Sequence, residues 1–415
     1  MPQENSQQTS QSTRTSARIV HFVAWFCVCL LPAAQANDVT IPSLDGKLQI
    51  PGFWFTAGAT AVASDKRPAI IALHGCDGAR NSAGKVSAGY VREATYFNAE
   101  GMHFLVIDSF TARGQKGICD IPNADRTIFE EDRREDVFAA IRWLAAQADV
   151  DAARIAILGW SHGAQTVLSV LDRTDKYVQA QPIQPRAAIA YYAGCKRFAE
   201  MWNYEISAPL LLMSGELDDW TPARDCARLN ERVVSGQKDA VINFRIFPGS
   251  YHAFNGTTPV RTVYNAANTK TGSATAGGNP AAREASYRLM FEFLSAQFAQ
   301  PLRLTNEQRL ALTAHRYVIP PDSGFARFDN SAAVPVKSEG RARYEHYLDL
   351  PPPKAFVITE KNGWFFGANS TDAIGMAFAS CAKFKLKCWL YAVDDKVVWA
   401  PEPEKRITLE KLQVR

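Results

Sequence analysis

Residues 154–168 read RIAILGWSHGAQTVL: an apolar, β-branched run, then Gly159-Trp160-Ser161-His162-Gly163, then a helix-compatible stretch. The run before G-x-S-x-G predicts a buried strand, and the run after it a helix. A serine at such a turn is lifted above the sheet, near a helix N-terminus whose dipole favours developing negative charge. The flanking glycines leave room for neighbouring backbone. Ser161 is therefore read as a nucleophile.

A serine hydroxyl needs a base, and the base an acid to orient it; on a parallel sheet the chain order is Ser, acid, His. Of seven histidines, His252 follows Ser161 on a loop just past a strand candidate at 241–247. The acid belongs on the loop after the strand at 209–213, SGELDDWTP, where Glu216, Asp218 and Asp219 are all available. Asp218 is favoured, because the turn at Ser214-Gly215 releases it above the sheet. The oxyanion donors expected are two backbone N–H groups. One is that of His162. The other is that of Cys76, in the loop His74-Gly75-Cys76-Asp77-Gly78.

Working outward, strand candidates at 48–55, 68–73, 103–108, 154–158, 187–192, 209–213 and 241–247 alternate with helical patterns, clearest at 130–147 and 222–234. That alternation predicts βαβ units and a doubly wound, mostly parallel sheet covered on both faces. A helix at 281–298 closes the unit, and 255–280, rich in Gly, Thr and Asn, reads as a loop. A helix at 306–317 leads into a Pro- and Ser-containing linker. From 333 a small α/β module follows, with strands at 355–359 and 388–393 and a helix at 372–382.

Taken together, HGCDG (74–78), DSFTARG (108–114), GWSHG (159–163), GELDDWTP (215–222) and FPGSYHAF (247–254) resemble the dienelactone hydrolase family of α/β-hydrolases. The resemblance spans roughly residues 40–300. It implies that fold, a Ser161–His252–Asp218 triad, oxyanion groups at Cys76 and His162, and no cofactor or metal. Dienelactone hydrolases proper use a cysteine nucleophile; with Ser161 here, lactone specificity does not carry over, and a serine ester hydrolase is the expectation. The alternatives are an amidase, peptidase or acyltransferase with the same triad, or a non-catalytic envelope binding protein on this scaffold. Trp160, Trp220, Tyr251 and Phe110 flank the motifs as candidate pocket residues. The strand neighbours of that fold imply disulfides Cys76–Cys119 and Cys195–Cys226, with Cys381–Cys388 in the module and a free, reactive Cys76 as the competing reading.

The N-terminus completes the parse. Arg14 and Arg18 precede an apolar run at 19–31, and Ala34-Gln35-Ala36 supplies an A-x-A site. That is the pattern of a secretory signal peptide, too short for the ~20 residues of a membrane span. The domains expected are a leader at 1–36, a catalytic domain at 37–300, a helix and linker at 301–332, and a module at 333–415. The product is then secreted or periplasmic, with no membrane span after cleavage, and its six remaining cysteines favour pairing. With 46 Lys+Arg against 42 Asp+Glu in 415 residues, the charge is too even for a nucleic-acid partner; a small-molecule ester is the partner expected.

Overall fold

The computed structural model describes residues 35–58, 66–350, 352–368 and 370–415; the expected leader, up to residue 34, lies outside them. The large sheet contains β1 (Asn37–Pro42), β2 (Gln49–Phe55), β3 (Arg67–Leu73), β4 (His103–Ile107), β5 (Val150–Trp160), β6 (Ala187–Tyr191), β7 (Leu210–Gly215) and β8 (Ile242–Phe247). Their order is β1-β2-β4-β3-β5-β6-β7-β8. The β1–β2 hairpin joins antiparallel, and every pairing from β4 to β8 is parallel.

The helices between them are α1 (Ala88–Ala99), α2 (Glu130–Ala145), α3 (His162–Leu171), the short α4 (Lys176–Gln179) and α5 (Lys196–Glu200), α6 (Ala223–Gly236) and α7 (Pro280–Phe298). Alternation along each strand feeds two apolar layers. In β3, Ala69, Ile71 and Leu73 belong to the same apolar layer as Val137 of α2, Val167 of α3 and Leu229 of α6. Ile70 and Ala72 face Phe97 of α1 and Met290 and Phe291 of α7. Both faces are covered, so the central strands read as unbroken apolar runs.

Three elements differ from the sequence expectation. The stretch read as a loop holds a hairpin, β9 (Arg261–Tyr264) with β10 (Ser273–Ala276). Its Thr-, Ser- and Ala-rich strands lack the apolar alternation that marks a half-buried strand. The helix α8 is shorter than its pattern, at Asn306–Ala311, opened by a capping box from Thr305 to Gln308. The segment read as linker runs into a full helix, α9 (Ser338–Asp349).

The C-terminal sheet has β11 (Lys354–Thr359), β12 (Trp364–Ala368), β13 (Cys388–Val393) and β14 (Lys396–Val397), all antiparallel, in the order β12-β11-β13-β14. Helix α10 (Ala373–Ala382) packs on one face through Ile374, Ala377 and Phe378. The Tyr344 and Tyr347 rings of α9 fill the other. The described residues form one compact unit. Within it Arg309 forms a buried ion pair with Glu100, at the end of α1, and Arg261 of the hairpin pairs with Asp349 of α9 at 2.7 Å. Three disulfides are present, Cys76–Cys119, Cys195–Cys226 and Cys381–Cys388, so the structure holds no free thiol at Cys76. No helix among the described residues is long and apolar enough to cross a membrane.

Candidate active site

Ser161 sits between β5 and α3 with φ 55° and ψ −117°, a conformation an L-residue adopts only under strain of about 1–3 kcal/mol. Two glycines make the turn possible. A Cβ on Gly159 would stand 2.3 Å from the Gly163 carbonyl oxygen, and one on Gly163 would stand 2.0 Å from that of Leu73. The Ser161 N–H donates to the Tyr191 carbonyl at 3.0 Å, which ties the turn to the end of β6.

His252 and Asp218 meet at the same edge of the sheet. The His252 Nδ1 lies 2.9 Å from Asp218 Oδ2, and both side chains are buried. Asp218 is itself held: Oδ1 accepts the N–H groups of Trp220 and Thr221 at 2.9 and 2.8 Å, and Oδ2 lies 2.9 Å from the Thr221 hydroxyl oxygen. A carboxylate fixed this way holds the imidazole with Nδ1 protonated and Nε2 turned away from it. The other acids on the loop are engaged elsewhere. Glu216 accepts the Gly249 N–H, and Asp219 accepts the N–H and hydroxyl of Thr275 in β10.

Residues 191–192 join the serine side of the site to the histidine side. Tyr191 accepts the Ser161 N–H, the Tyr192 carbonyl accepts the Thr221 hydroxyl at 2.8 Å, and the Tyr192 ring lies 4.6 Å from the His252 ring. No Ser161–His252 hydrogen bond is present among the described residues. Such bonds are often long without substrate and tighten when it binds.

The Gly75 loop passes over the serine: a Cβ on Gly75 would lie 3.7 Å from Ser161 Cβ. The loop is pinned by the Cys76–Cys119 bond and by the Ile118 N–H donating to the Cys76 carbonyl at 2.7 Å. Arg133 of α2, fully buried, anchors it from behind. Its Nη2 donates to the His74 carbonyl and its Nη1 to His162 Nδ1, both at 2.7 Å. Burial and the Arg133 charge hold His162 well below the ordinary histidine range and His74 down to about 3, so both rings are neutral.

The pocket candidates separate. Trp220 lies 5.0 Å from the His252 ring, and Trp160 packs between Tyr90 and Tyr191. Phe110 does not line a pocket. It is fully buried behind the Gly75 loop, 4.4 Å from the His74 ring and under the Arg133 guanidinium at 5.0 Å. Tyr251 is half-buried, and its carbonyl closes on Gly215. The hairpin rims the site: Gly277 donates to the His252 carbonyl at 2.8 Å, and Ala267 to that of Cys119 at 3.1 Å.

The sequence reading missed Arg133, Thr221 and Tyr192. Arg133 stands in the charged run EEDRRED, which reads as a solvated helix face. Only the 3.6-residue period, placing it inward with Val137, carries a signal. No group of His, Cys, Asp and Glu among the described residues is arranged to hold a metal.

Residues 59–298 match the dienelactone hydrolase family. The chain belongs to that family. Its membership makes the α/β-hydrolase fold and a hydrolase activity the plain reading of this sheet. Two uncharacterized Mycobacterium tuberculosis proteins are each 27% identical to this dienelactone hydrolase family member over 242 residues, 54% of this chain and 74% of theirs. Among solved structures, an esterase of the planctomycete Thermogutta terrifontis is similar at 16% identity and TM-score 0.46, covering 66% of this chain and 97% of its own. A puromycin-hydrolyzing peptidase of Mycobacterium tuberculosis is similar at 17% identity and TM-score 0.49, covering 67% and 41%.

Proposed function

We propose that this family member is an exported serine hydrolase that cleaves carboxylic esters or lactones of small molecules through an acyl-enzyme. The observation that carries the reading is one sheet edge holding a strained nucleophile turn at Ser161 and a buried His252–Asp218 pair. His252 Nε2 takes the Ser161 proton as Oγ attacks the carbonyl carbon. The N–H groups of Cys76 and His162 stabilise the oxyanion, and Asp218 stabilises the imidazolium. His252 then gives the proton to the departing alkoxide, and water repeats the sequence on the acyl-enzyme.

Export is supported by the leader pattern and by disulfides at three sites. Residues 37–300 are read as the catalytic domain and 333–415 as an appended module, joined by the helix and linker at 301–332. The test is a panel of short- and long-chain nitrophenyl esters and peptide anilides, run on the wild type and Ser161→Ala. Ester turnover that the substitution removes supports the proposal. Anilide turnover without ester turnover would redirect it to amides, and turnover of neither would sink it.

A further inference from the structure

Beside the nucleophile lies a carboxylate that the acyl-transfer steps do not use. A Cβ on Gly75 would stand 2.8 Å from Asp77 Oδ1 and 3.7 Å from Ser161 Cβ. Asp77 Oδ1 and Ser161 Cβ therefore both lie within a side chain's reach of Gly75, no more than about 6.5 Å apart. The Asp77 side chain is reached by solvent, yet enough protein surrounds it for desolvation to raise its pKa above the usual carboxylate range.

The positive charges that act on it are those of His252 and Arg133. Neither serves as a counter-ion. His252 is engaged by Asp218, and Arg133 is buried behind the loop, bonded to His74 and His162. The phenols of Tyr90 and Tyr192 feel the Asp77 charge, Tyr90 sits 5.6 Å from the Trp160 ring, and Trp220 closes the His252 side. An exposed carboxylate with no ion pair among the described residues attracts an ammonium group by charge. It repels a substrate that brings a carboxylate of its own.

We propose that Asp77 makes the site at Ser161 selective for esters that carry an alkylammonium group, with neutral esters second and anionic ones excluded. The inference rests on the reading of Ser161 as the nucleophile and names the substrate class for that site.

Isosteric pairs test it. Acetylthiocholine and S-(3,3-dimethylbutyl) thioacetate differ only in N⁺ against C on the leaving group. The nitrophenyl esters of betaine and 3,3-dimethylbutyrate place the same difference on the acyl group. The wild type is expected to favour the cationic member of at least one pair by about tenfold in kcat/KM, and Asp77→Asn to bring that ratio close to one. Ratios near one in both pairs, or a ratio Asp77→Asn leaves in place, would overturn the proposal. Failure of the neutral members to turn over would instead count against the esterase reading. Binding then decides: choline and 3,3-dimethylbutanol are titrated against the tryptophan fluorescence of Ser161→Ala. Choline binding that is tighter, and weakened by Asp77→Asn on that background, supports the proposal; equal binding overturns it.

Discussion

Arg133 donates from Nη1 to Nδ1 of His162 at 2.7 Å, so a buried guanidinium fixes the residue next to Ser161. Its Nη2 holds the His74 carbonyl at the same distance, two residues before Cys76. One side chain thereby sets the spacing of the two segments proposed to donate to the oxyanion. Arg133→Met is expected to lower kcat on a nitrophenyl ester by roughly 10–10²-fold with a much smaller change in KM, because aligned donors act mainly in the transition state. Arg133→Lys restores one of the two bonds and part of the rate. A rise in KM at constant kcat, or loss tracking thermal stability alone, would show that Arg133 merely packs the core.

Asp218 accepts two backbone N–H groups of its own loop before it reaches His252. Asp218→Asn keeps the size but ends the negative charge beside Nδ1 and allows the wrong tautomer. The expected outcome is a loss of kcat of roughly 10³–10⁴-fold with little change in circular dichroism. Asp219→Asn, which touches Thr275 and not His252, is the control. An equal loss there would move the acid to Asp219.

Gly163 is a requirement of packing. A Cβ there would press on the carbonyl oxygens of both Leu73 and His74, at 2.0 and 2.7 Å. Backbone on both sides leaves no flexible neighbour to move. Gly163→Ala is therefore expected to cost about 1–3 kcal/mol or more in urea unfolding. It should also abolish activity by pushing the strand β3 loop off the serine. Gly236→Ala, where nothing lies within 4 Å, should be mild.

Local chemistry explains which parts of this were legible. Ser161, His252 and Asp218 each sit at a strand end with turn residues beside them, and the order of strands fixes the edge they share. Arg133 and Tyr192 act across the fold, and their neighbours in sequence carry no mark of that. The hairpin at 261–276 was hidden for another reason. It is held through Asp219, His252 and Cys119 and not by an apolar face, so period-2 patterning never appears. Phe110 misled because an aromatic beside a motif fits a pocket wall or a buried prop equally well.

His74, His103 and His162 shape the response to acid. Burial depresses all three, His74 to about 3. In the unfolded chain each takes a proton near ~6.5, so below that pH the unfolded state binds more protons. Stability is thus full above that value and declines as pH falls toward the folded-state values. The raised carboxyls of Glu93 and Asp136 act oppositely, binding protons first in the folded state and offsetting part of the loss. Urea midpoints at about pH 7.5 and about pH 5.5 check it. The acid-induced drop should be smaller in His162→Gln than in wild type, and equal drops would remove His162 from the account.

Cysteine pairing offers a joint test of the disulfides and of the leader. Cys76 and Cys119 tie the Gly75 loop to the segment that receives Ala267 of the hairpin. Cys195 and Cys226 join α5 to α6 beside the acid loop, and Cys381 and Cys388 join α10 to β13. Those bonds use every cysteine after residue 36, while Cys27 and Cys29 stand in the apolar run before it. The exported chain, denatured without reductant, is expected to show no free thiol and a mass beginning at Asn37. Free thiol together with the full-length mass would mean that the leader is retained. Cys119→Ser should lower stability by about 2–5 kcal/mol. Its activity should fall further than the fraction unfolded predicts, because the loop carrying the Cys76 N–H loses its covalent anchor.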